Sequence, residues 1–325
     1  MTLTVDVAVV AYRHWELTQS CLAHLAVQTR EHTVYLCDNG CDEGTAERVR
    51  KEFPHVRVLR FERNMPYPAA CNGNVAAGTG DVVVTMNNDV DARPDFLERL
   101  VAPLEVDPGV GSVAPLLLRP GGETVDSWGF VADRTLAPFA RWQGHQPTRV
   151  HIAAPVMIGV GGSAGAFRRV AWEQIGGMDE TISAYYEDFE LGLRLCAAGW
   201  AAVPVPDAVA VHVGSATFGH RSDLARHRGG FGRGYLLRRY GVLRSRAALR
   251  TLVTEAILVA ADVAFSRDTI ALRGRIAGWR AGGGRPSLPR PTAAQLEQRI
   301  SFVDSLRMRW DVVRRQPVGK SQWSN

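Results

Sequence analysis

The sequence predicts an α/β protein built on a mostly parallel, doubly wound sheet and followed by a helical extension. Three observations predict it. Apolar, β-branched runs alternate with helix-period segments from Val5 to Leu118, the pattern of a sheet covered on both faces. Three of these runs end in polar clusters, and right-handed crossovers place the loops after parallel strands on one edge. From Ser222 onward the composition turns to arginine-rich helix.

Taken in order, Val5–Ala11 reads as a buried strand and Trp15–Ala26 as an amphipathic helix. Thr33–Cys37 is a second strand, ended by Asp38-Asn39-Gly40, and a polar-faced helix at Glu43–Phe53 stops before Pro54. Val56–Phe61 is a third strand and Ala69–Ala77 a short helix closed by Gly78 and Gly80. The fourth strand, Val82–Met86, runs straight into Asn87, Asn88, Asp89 and Asp91. A helix at Pro94–Glu105 and a strand at Val110–Leu118 continue the pattern, and residues 119–155 are a loop-dominated excursion over one side of a cleft. A glycine-rich segment at Gly159–Phe167 precedes helices at Arg169–Ile175 and Glu187–Ala198, then short strands at Val203–Val205 and Val209–Val213. Helices follow at roughly 222–241, 245–266 and 268–280. A linker-like Gly/Pro stretch spans 282–291, and a last helix at Ala293–Arg315 carries Leu296, Ile300, Val303, Leu306 and Trp310 on one face. The expected domains are therefore 1–221, 222–281, a linker at 282–292, and 293–325.

With 46% apolar and 22% charged residues, the chain has the composition of a globular protein with a substantial core. The net charge of +5 is too small, and no recognition motif is present, for a nucleic-acid binder. The five cysteines, Cys21, Cys37, Cys41, Cys71 and Cys196, show neither a disulfide framework nor C-x-x-C spacing, which points to a reducing compartment. The longest apolar stretch, Leu249–Phe265, is broken by Arg250, Glu255 and Asp262 and makes a poor transmembrane helix. No signal peptide is visible, so a cytoplasmic location is expected.

The strand end at Asn87–Asp91 offers oxygen donors that suit a hard cation such as Mg²⁺ or Mn²⁺, although Asn and Asp also serve as plain turn residues. No G-x-x-x-x-G-K-[ST] occurs, and no G-x-G-x-x-G follows the first strand, which disfavours P-loop and dinucleotide sites. Glu187 and Asp188 fall at a helix start, where the dipole favours carboxylates, and Glu190 with Arg194 reads as an exposed i, i+4 pair.

Taken together, the ordered motifs resemble glycosyltransferase family 2, inverting enzymes of the GT-A fold. They are Val9-Val10-Ala11-Tyr12, Cys37-Asp38-Asn39-Gly40, Asn64 to Asn72, Met86-Asn87-Asn88-Asp89-Val90, Gly176-Gly177-Met178-Asp179-Glu180, Tyr186-Glu187-Asp188-Phe189-Glu190-Leu191 and His212. The likeness covers about residues 5–220. It implies a nucleotide-sugar site made from Ala11, Tyr12, Asp38 and Asn72, with Asp38 on the base or ribose. Arg13, Asn39 and Asn88 belong to the same converging strand ends. It further implies Mg²⁺ or Mn²⁺ held by Asp89, with Asp91 and His212 as further candidates, and Asp188 as general base with Glu187 as the near alternative. Gly162, Ser163 and Trp128 would line the acceptor cleft. Inverting transfer needs such a carboxylate on the far face of the sugar.

Two departures stand out. Asn87 replaces the first carboxylate of the family's Asp-x-Asp motif, and Pro66 stands where a glycine is usual. The Asn-Asn-Asp-Val form looks most like rhamnosyl and related deoxysugar transferases, which implies a dTDP- or UDP-sugar donor. The acceptor would be a glycan, a lipid-linked sugar or a small molecule, in cell-wall or polysaccharide synthesis. The competing readings are a nucleotidyltransferase and a catalytically inactive sugar-nucleotide or glycan-binding protein. The arginine-rich helices are expected to pack on the catalytic domain or form a homodimer, with peripheral membrane contact through the Trp310 face as the alternative.

Overall fold

The computed structural model describes residues 2–41, 44–150, 157–214 and 222–314. The chain divides into two compact units, Met1–Val131 with Ala140–Gly214, and Ala132–Phe139 with Ser215–Asn325. The boundary expected at residue 221 lies outside the described residues, and Ala132–Phe139 groups with the second unit.

The first unit begins with β1 (Val5–Ala11), α1 (Trp15–Ala26), β2 (Thr33–Asn39), α2 (Thr45–Glu52), β3 (Arg57–Phe61), α3 (Tyr67–Ala76) and β4 (Val82–Asn87). It continues through β5 (Val90–Ala92), α4 (Phe96–Val106), β6 (Val110–Leu118) and β7 (Val125–Ser127). Next in the chain come β8 (Phe130–Ala132) and β9 (Pro138–Ala140), a two-stranded sheet of their own that includes residues of the Ala132–Phe139 stretch grouped with the second unit. The first unit resumes with β10 (Ala164–Arg168), α5 (Arg169–Gln174), α6 (Glu187–Ala197) and β11 (Ala201–His212). The large sheet has nine strands in the order β3-β2-β1-β4-β10-β6-β11-β5, with β7 on β6. Strands β3, β2, β1 and β4 are parallel, as are β6 and β11.

Strand periodicity divides the core between two faces. Val5, Val7 and Val9 pack with α1 and α4, whereas Ala8 and Val10 pack with Ala70 and Cys71 of α3, Trp172 of α5 and Leu191 of α6. All five cysteines are buried free thiols.

Three expectations about this unit change. Half of the glycine-rich segment is strand: β10 runs antiparallel between β4 and β6, its alanines too small to signal a strand. The two short strands after α6 are one, β11, with an irregularity between Val205 and Val209 where Pro206 interrupts the ladder. Glu190 and Arg194 are not on the surface. Glu190 is fully buried, and Arg194 Nε donates to both its oxygens at 2.9 and 2.8 Å.

The second unit contains α7 (Asp223–Arg239), α8 (Ala248–Ser266), α9 (Ile270–Ala281) and α10 (Phe302–Arg314). Helices α7 and α9 touch backbone to backbone through Gly230 and Gly234 on one and Gly274 and Gly278 on the other. A Cβ at any of these four would overlap main-chain atoms of the facing helix. Beside them lies a buried ionic centre. Glu255 accepts from Arg233 Nε (2.7 Å), Arg275 Nε (3.1 Å) and Arg309 Nη1 (3.1 Å), and Asp133 accepts from Ser305 and Thr135 hydroxyls. The linker-like stretch lies against α7, where the Leu288 N–H donates to the Arg239 carbonyl.

The last helix starts later than expected. Thr292 and Gln295 close a single 3₁₀ turn, Ala293–Gln295, by a reciprocal cap, and the chain is extended at Leu296. Helix α10 then begins behind Ser301, whose Oγ accepts the Asp304 N–H while its own hydroxyl donates to the Asp304 carboxylate. The Trp310 side chain lies outside the described residues.

Candidate active site

The antiparallel β10 brings the site together. Just before it, the Ser163 carbonyl accepts the Asn87 N–H at 2.9 Å, at the end of β4. One residue earlier, the Gly162 N–H donates to Asp188 Oδ2 at 2.7 Å, at the start of α6. The strap Gly162-Ser163 thus joins two constellations a hundred positions apart in sequence. Tyr67 fixes it from α3, its hydroxyl donating to the Gly162 carbonyl at 2.9 Å. Glycine is needed for this approach: a Cβ on Gly159 would lie 2.8 Å from the Cα of Gly192 in α6.

Helix α6 opens behind Tyr185 and Tyr186, two consecutive non-glycine residues with φ of 62° and 75°. Such backbone is costly and collects at functional sites. Asp188 stands in the first turn, its Oδ1 accepting its neighbour's Phe189 N–H at 2.7 Å. Burial pushes its pKa up to about 6, against the pull of the two N–H groups it accepts from. Such a carboxylate is ionised at neutral pH yet basic enough to take a proton. Glu187 is buried beside α3. Burial, with the Glu187 charge added, pushes the Cys71 thiol up to about 12.

At the other end of the strap, His212 closes β11 between two carboxylates. Its Nδ1 lies 2.8 Å from Asp126 Oδ2 and its Nε2 3.4 Å from Asp89 Oδ1. Burial opposes the imidazolium, but the hydrogen bonds to Asp126 and Asp89 outweigh it and raise its pKa to about 10. Asn87 Oδ1 is buried and lacks a hydrogen-bond donor among the described residues, and buried Asp89 Oδ1 faces only the His212 Nε2 at 3.4 Å there. No group of three or more His, Cys, Asp or Glu side chains comes together to hold a metal among those residues. The donor set still fits a Mg²⁺ or Mn²⁺ site of the open kind, in which one carboxylate and substrate phosphates share the ion. His212 carries the outer carboxylate partner typical of a metal-binding imidazole.

The strand-end residues expected to meet a nucleotide lie where the topology puts them, but most are engaged with the protein. Ala11 is fully buried, and Arg13, at φ 62°, stacks its guanidinium on Tyr12 at 5.0 Å. Asp38 is fully buried, its oxygens accepting the N–H groups of Cys41 (3.0 Å) and Ala46 (3.2 Å). It therefore shapes the loop after β2. Asn39 exchanges hydrogen bonds with the backbone of Met65, just ahead of Pro66, which opens α3. Asn72 exchanges bonds with the Met178 backbone and donates to Glu180, bracing the Gly176–Glu180 loop. Asn88 donates to the Arg13 carbonyl and Thr18 hydroxyl, locking the β4 end to the β1 end.

Two expected site residues are placed elsewhere. Asp91 lies in β5 and accepts from Ser20 of α1 (2.9 Å), with His24 at 3.4 Å, so it is not drawn to Asp89. Trp128 is fully buried among Leu116, Leu118, Val125 and Val209 and cannot offer its ring to an acceptor. Sequence reasoning missed Asp126 and Tyr67. Asp126 sits in the irregular 119–155 region, where no periodicity pointed to it, while Tyr67 lay within a motif but in a position with no obvious polar task.

The sequence model of the family described as "Glycosyltransferase like family 2" matches residues 4–230. The chain is 31% identical over 252 residues to an N-acetylglucosaminyl-diphospho-decaprenol L-rhamnosyltransferase of Mycobacterium tuberculosis (strain ATCC 25618 / H37Rv), covering 70% of this chain and 82% of that one. It is 28% identical over 218 residues to the O-antigen biosynthesis protein RfbC of Myxococcus xanthus, covering 62% of this chain and 16% of RfbC. Among solved structures, mannosyltransferase PcManGT from Pyrobaculum calidifontis, in complex with GDP-Man and Mn²⁺, superposes with a TM-score of 0.53 at 19% identity, covering 87% of each chain. GalNAc-T7 with UDP, GalNAc and Mn²⁺ gives 0.59 at 15% identity, over 97% of this chain and 58% of that one. The structural likenesses carry the fold alone. With the family match and the rhamnosyltransferase relative added, the chain belongs to glycosyltransferase family 2 and is a sugar transferase of the GT-A fold.

Proposed function

We propose that this transferase inverts the anomeric centre, moving a deoxysugar from a nucleotide donor to a hydroxyl of a lipid-linked or other glycan acceptor. The observation that carries this reading is the strap, with Gly162 on Asp188 and Ser163 on Asn87. It sets a carboxylate with raised proton affinity beside the Asp89–His212 end of the sheet. Asp188 takes the proton of the acceptor hydroxyl as its oxygen bonds to the anomeric carbon and the bond to the diphosphate breaks. Asp89, the diphosphate oxygens and, with its Nε2 proton displaced, His212 would hold the divalent cation, which when bound would neutralise charge gathering on the leaving group. The loops after β1, β2 and β4 would form the nucleotide wall, with Asp38, Asn39 and Asn72 as positioning residues. Asp91 and Trp128 drop out of the site. The rhamnosyltransferase relative favours rhamnose as the sugar and a sugar-diphospho-lipid as acceptor, and the likeness of Asn87-Asn88-Asp89-Val90 to deoxysugar transferases favours dTDP as the nucleotide.

The test is a donor panel of dTDP-rhamnose and UDP-sugars, with and without Mn²⁺, on the purified full chain. Proton NMR of the product then reads the new anomeric configuration. An inverted linkage with dTDP-rhamnose is expected. A retained configuration would overturn the single-displacement reading, and turnover only with UDP-sugars would overturn the donor.

A further inference from the structure

Helix α8 is inside out. Its three charged side chains all turn inward: Arg250 donates to the Ile300 and Ser301 carbonyls, Glu255 binds three arginines, and Asp262 accepts from Arg226 of α7. Its only fully buried side chains are two threonines, Thr251 and Thr254, whose hydroxyls bond back into the helix. A row of its apolar residues faces out. Leu249 is 75% exposed, Leu252 54% and Ile257 44%, with Val253, Ala256 and Ala260 also exposed between and beyond them. These fall at helical spacing on one side, and that side carries no charge. A globular helix buries this stripe, so a contiguous exposed one marks a contact surface.

We infer that the outer face of α8 docks on an anionic lipid bilayer, lying in the interface parallel to the membrane plane. No helix of the described residues is long and apolar enough to cross a membrane, so this face lies on the lipid surface and does not span it. Charge selects lipid over a second copy of the chain. Exposed arginines stand at both ends of the helix, Arg244 and Arg246 before it and Arg267 after it. The only acids between residues 241 and 281 are Glu255, Asp262 and Asp268, and all three are tied up by arginines. Pairing two α8 faces, parallel or antiparallel, would set arginine ends against arginine ends, and like charges across an interface are repulsive. Anionic headgroups instead complement both ends, while the leucine and isoleucine side chains enter the acyl boundary. This surface lies beyond residue 230, outside the segment matched to the family, and it stands on α8 alone, whatever donor or acceptor the enzyme uses.

The test is flotation of the full chain with vesicles of phosphatidylcholine alone or with 30% phosphatidylglycerol, about a third anionic lipid as a probe of surface charge. Binding to the anionic vesicles, weakened by salt and lost on neutral ones, is expected. Leu252→Glu/Ile257→Glu and, separately, Arg244→Ala/Arg246→Ala should each weaken it at least about tenfold, with thermal melts unchanged because these side chains are exposed. No flotation with anionic vesicles, or undiminished flotation of the leucine/isoleucine variant, would overturn the inference. So would a wild-type dimer in sedimentation equilibrium that this variant converts to monomer, since the face would then belong to a second copy.

Discussion

Asp188 accepts the Gly162 N–H at 2.7 Å, and through the next residue the same strap meets the end of β4. This bond both aims the carboxylate and restrains its basicity, because it stabilises the ionised form that burial disfavours. The balance predicts an acid limb in the pH profile. Below a pKa of about 6 the carboxyl keeps its proton and cannot accept another. At saturating Mn²⁺, kcat/KM should therefore fall about tenfold per pH unit below that point and level off above it. Asp188→Asn should lower kcat by about 10²- to 10⁴-fold, while calorimetry shows donor binding near wild type. A profile flat down to pH 5, or an active variant, would rule Asp188 out as the base.

Asp126 sets the imidazole of His212 from behind, with 2.8 Å between Oδ2 and Nδ1. Removing such a partner frees the ring to turn and typically costs about 10- to 100-fold in metal affinity. Asp126→Asn should raise the Mn²⁺ concentration giving half-maximal activity by that factor. It should weaken Mn²⁺ binding followed by electron paramagnetic resonance equally. EDTA should silence both proteins, and activity that survives it would remove the metal from the proposal.

The strand ends were legible because a buried parallel strand announces itself: Val5–Ala11 and Val110–Leu118 are the same in sequence and structure. The site was harder to read for a physical reason. Asn87, Asp89 and Asp188 stood out by residue type, yet what joins them is backbone, the Gly162-Ser163 strap, and backbone hydrogen bonds leave no mark on side-chain patterns. Burial misled in the opposite sense. Glu190 with Arg194 has the spacing of a surface pair, and i, i+4 geometry is identical whether water or protein surrounds it. The arginines of α7 likewise carry no mark of which one is buried, yet Arg233 is 2% exposed and faces Glu255.

Adjacent glycines on α7 should respond with opposite signs. A Cβ at Gly229 meets nothing within 4 Å, whereas at Gly230 it would overlap the Ala271 carbonyl of α9. Gly229→Ala should stabilise by roughly 0.5–1 kcal/mol, the helix-interior cost of glycine relative to alanine. Gly230→Ala should destabilise by about 1–3 kcal/mol through overpacking. Urea midpoints of the two variants check the pair, and shifts of the same sign would deny the close crossing.

Glu255 faces Arg233, Arg275 and Arg309, and although burial resists its charge, the three guanidinium groups hold its carboxyl well below the usual carboxylate range. A depressed folded-state pKa means that the stabilisation is fully present above the unfolded value, about 4.3. It is lost as pH falls toward the folded value. Glu255→Gln leaves buried arginines without their anion and should destabilise the protein by about 3–5 kcal/mol near neutrality. The deficit should shrink as pH drops below 4, where the unfolded wild-type chain takes up a proton that the folded Glu255 carboxylate still resists. Thermal melts at pH 7 and pH 3.5 test this, and a deficit independent of pH would assign it to packing alone.

Arg141 presents the reverse case. It is 5% exposed, and neither Nη atom has a hydrogen-bond partner among the described residues. Its guanidinium stacks on Trp128 at 4.6 Å, and burial pulls its pKa down to about 10, so it still carries its charge at neutral pH. A desolvated cation–π contact contributes about 2 kcal/mol, less than the several kcal/mol that an unpaired buried ion costs. Desolvation wins. Arg141→Met keeps an unbranched, polarisable chain against the indole and removes the charge, so the variant should unfold at higher urea than wild type by about 1–2 kcal/mol. A lower midpoint would mean that stacking on Trp128 outweighs the charge, and Arg141 would then count as a packing residue of the β7 region.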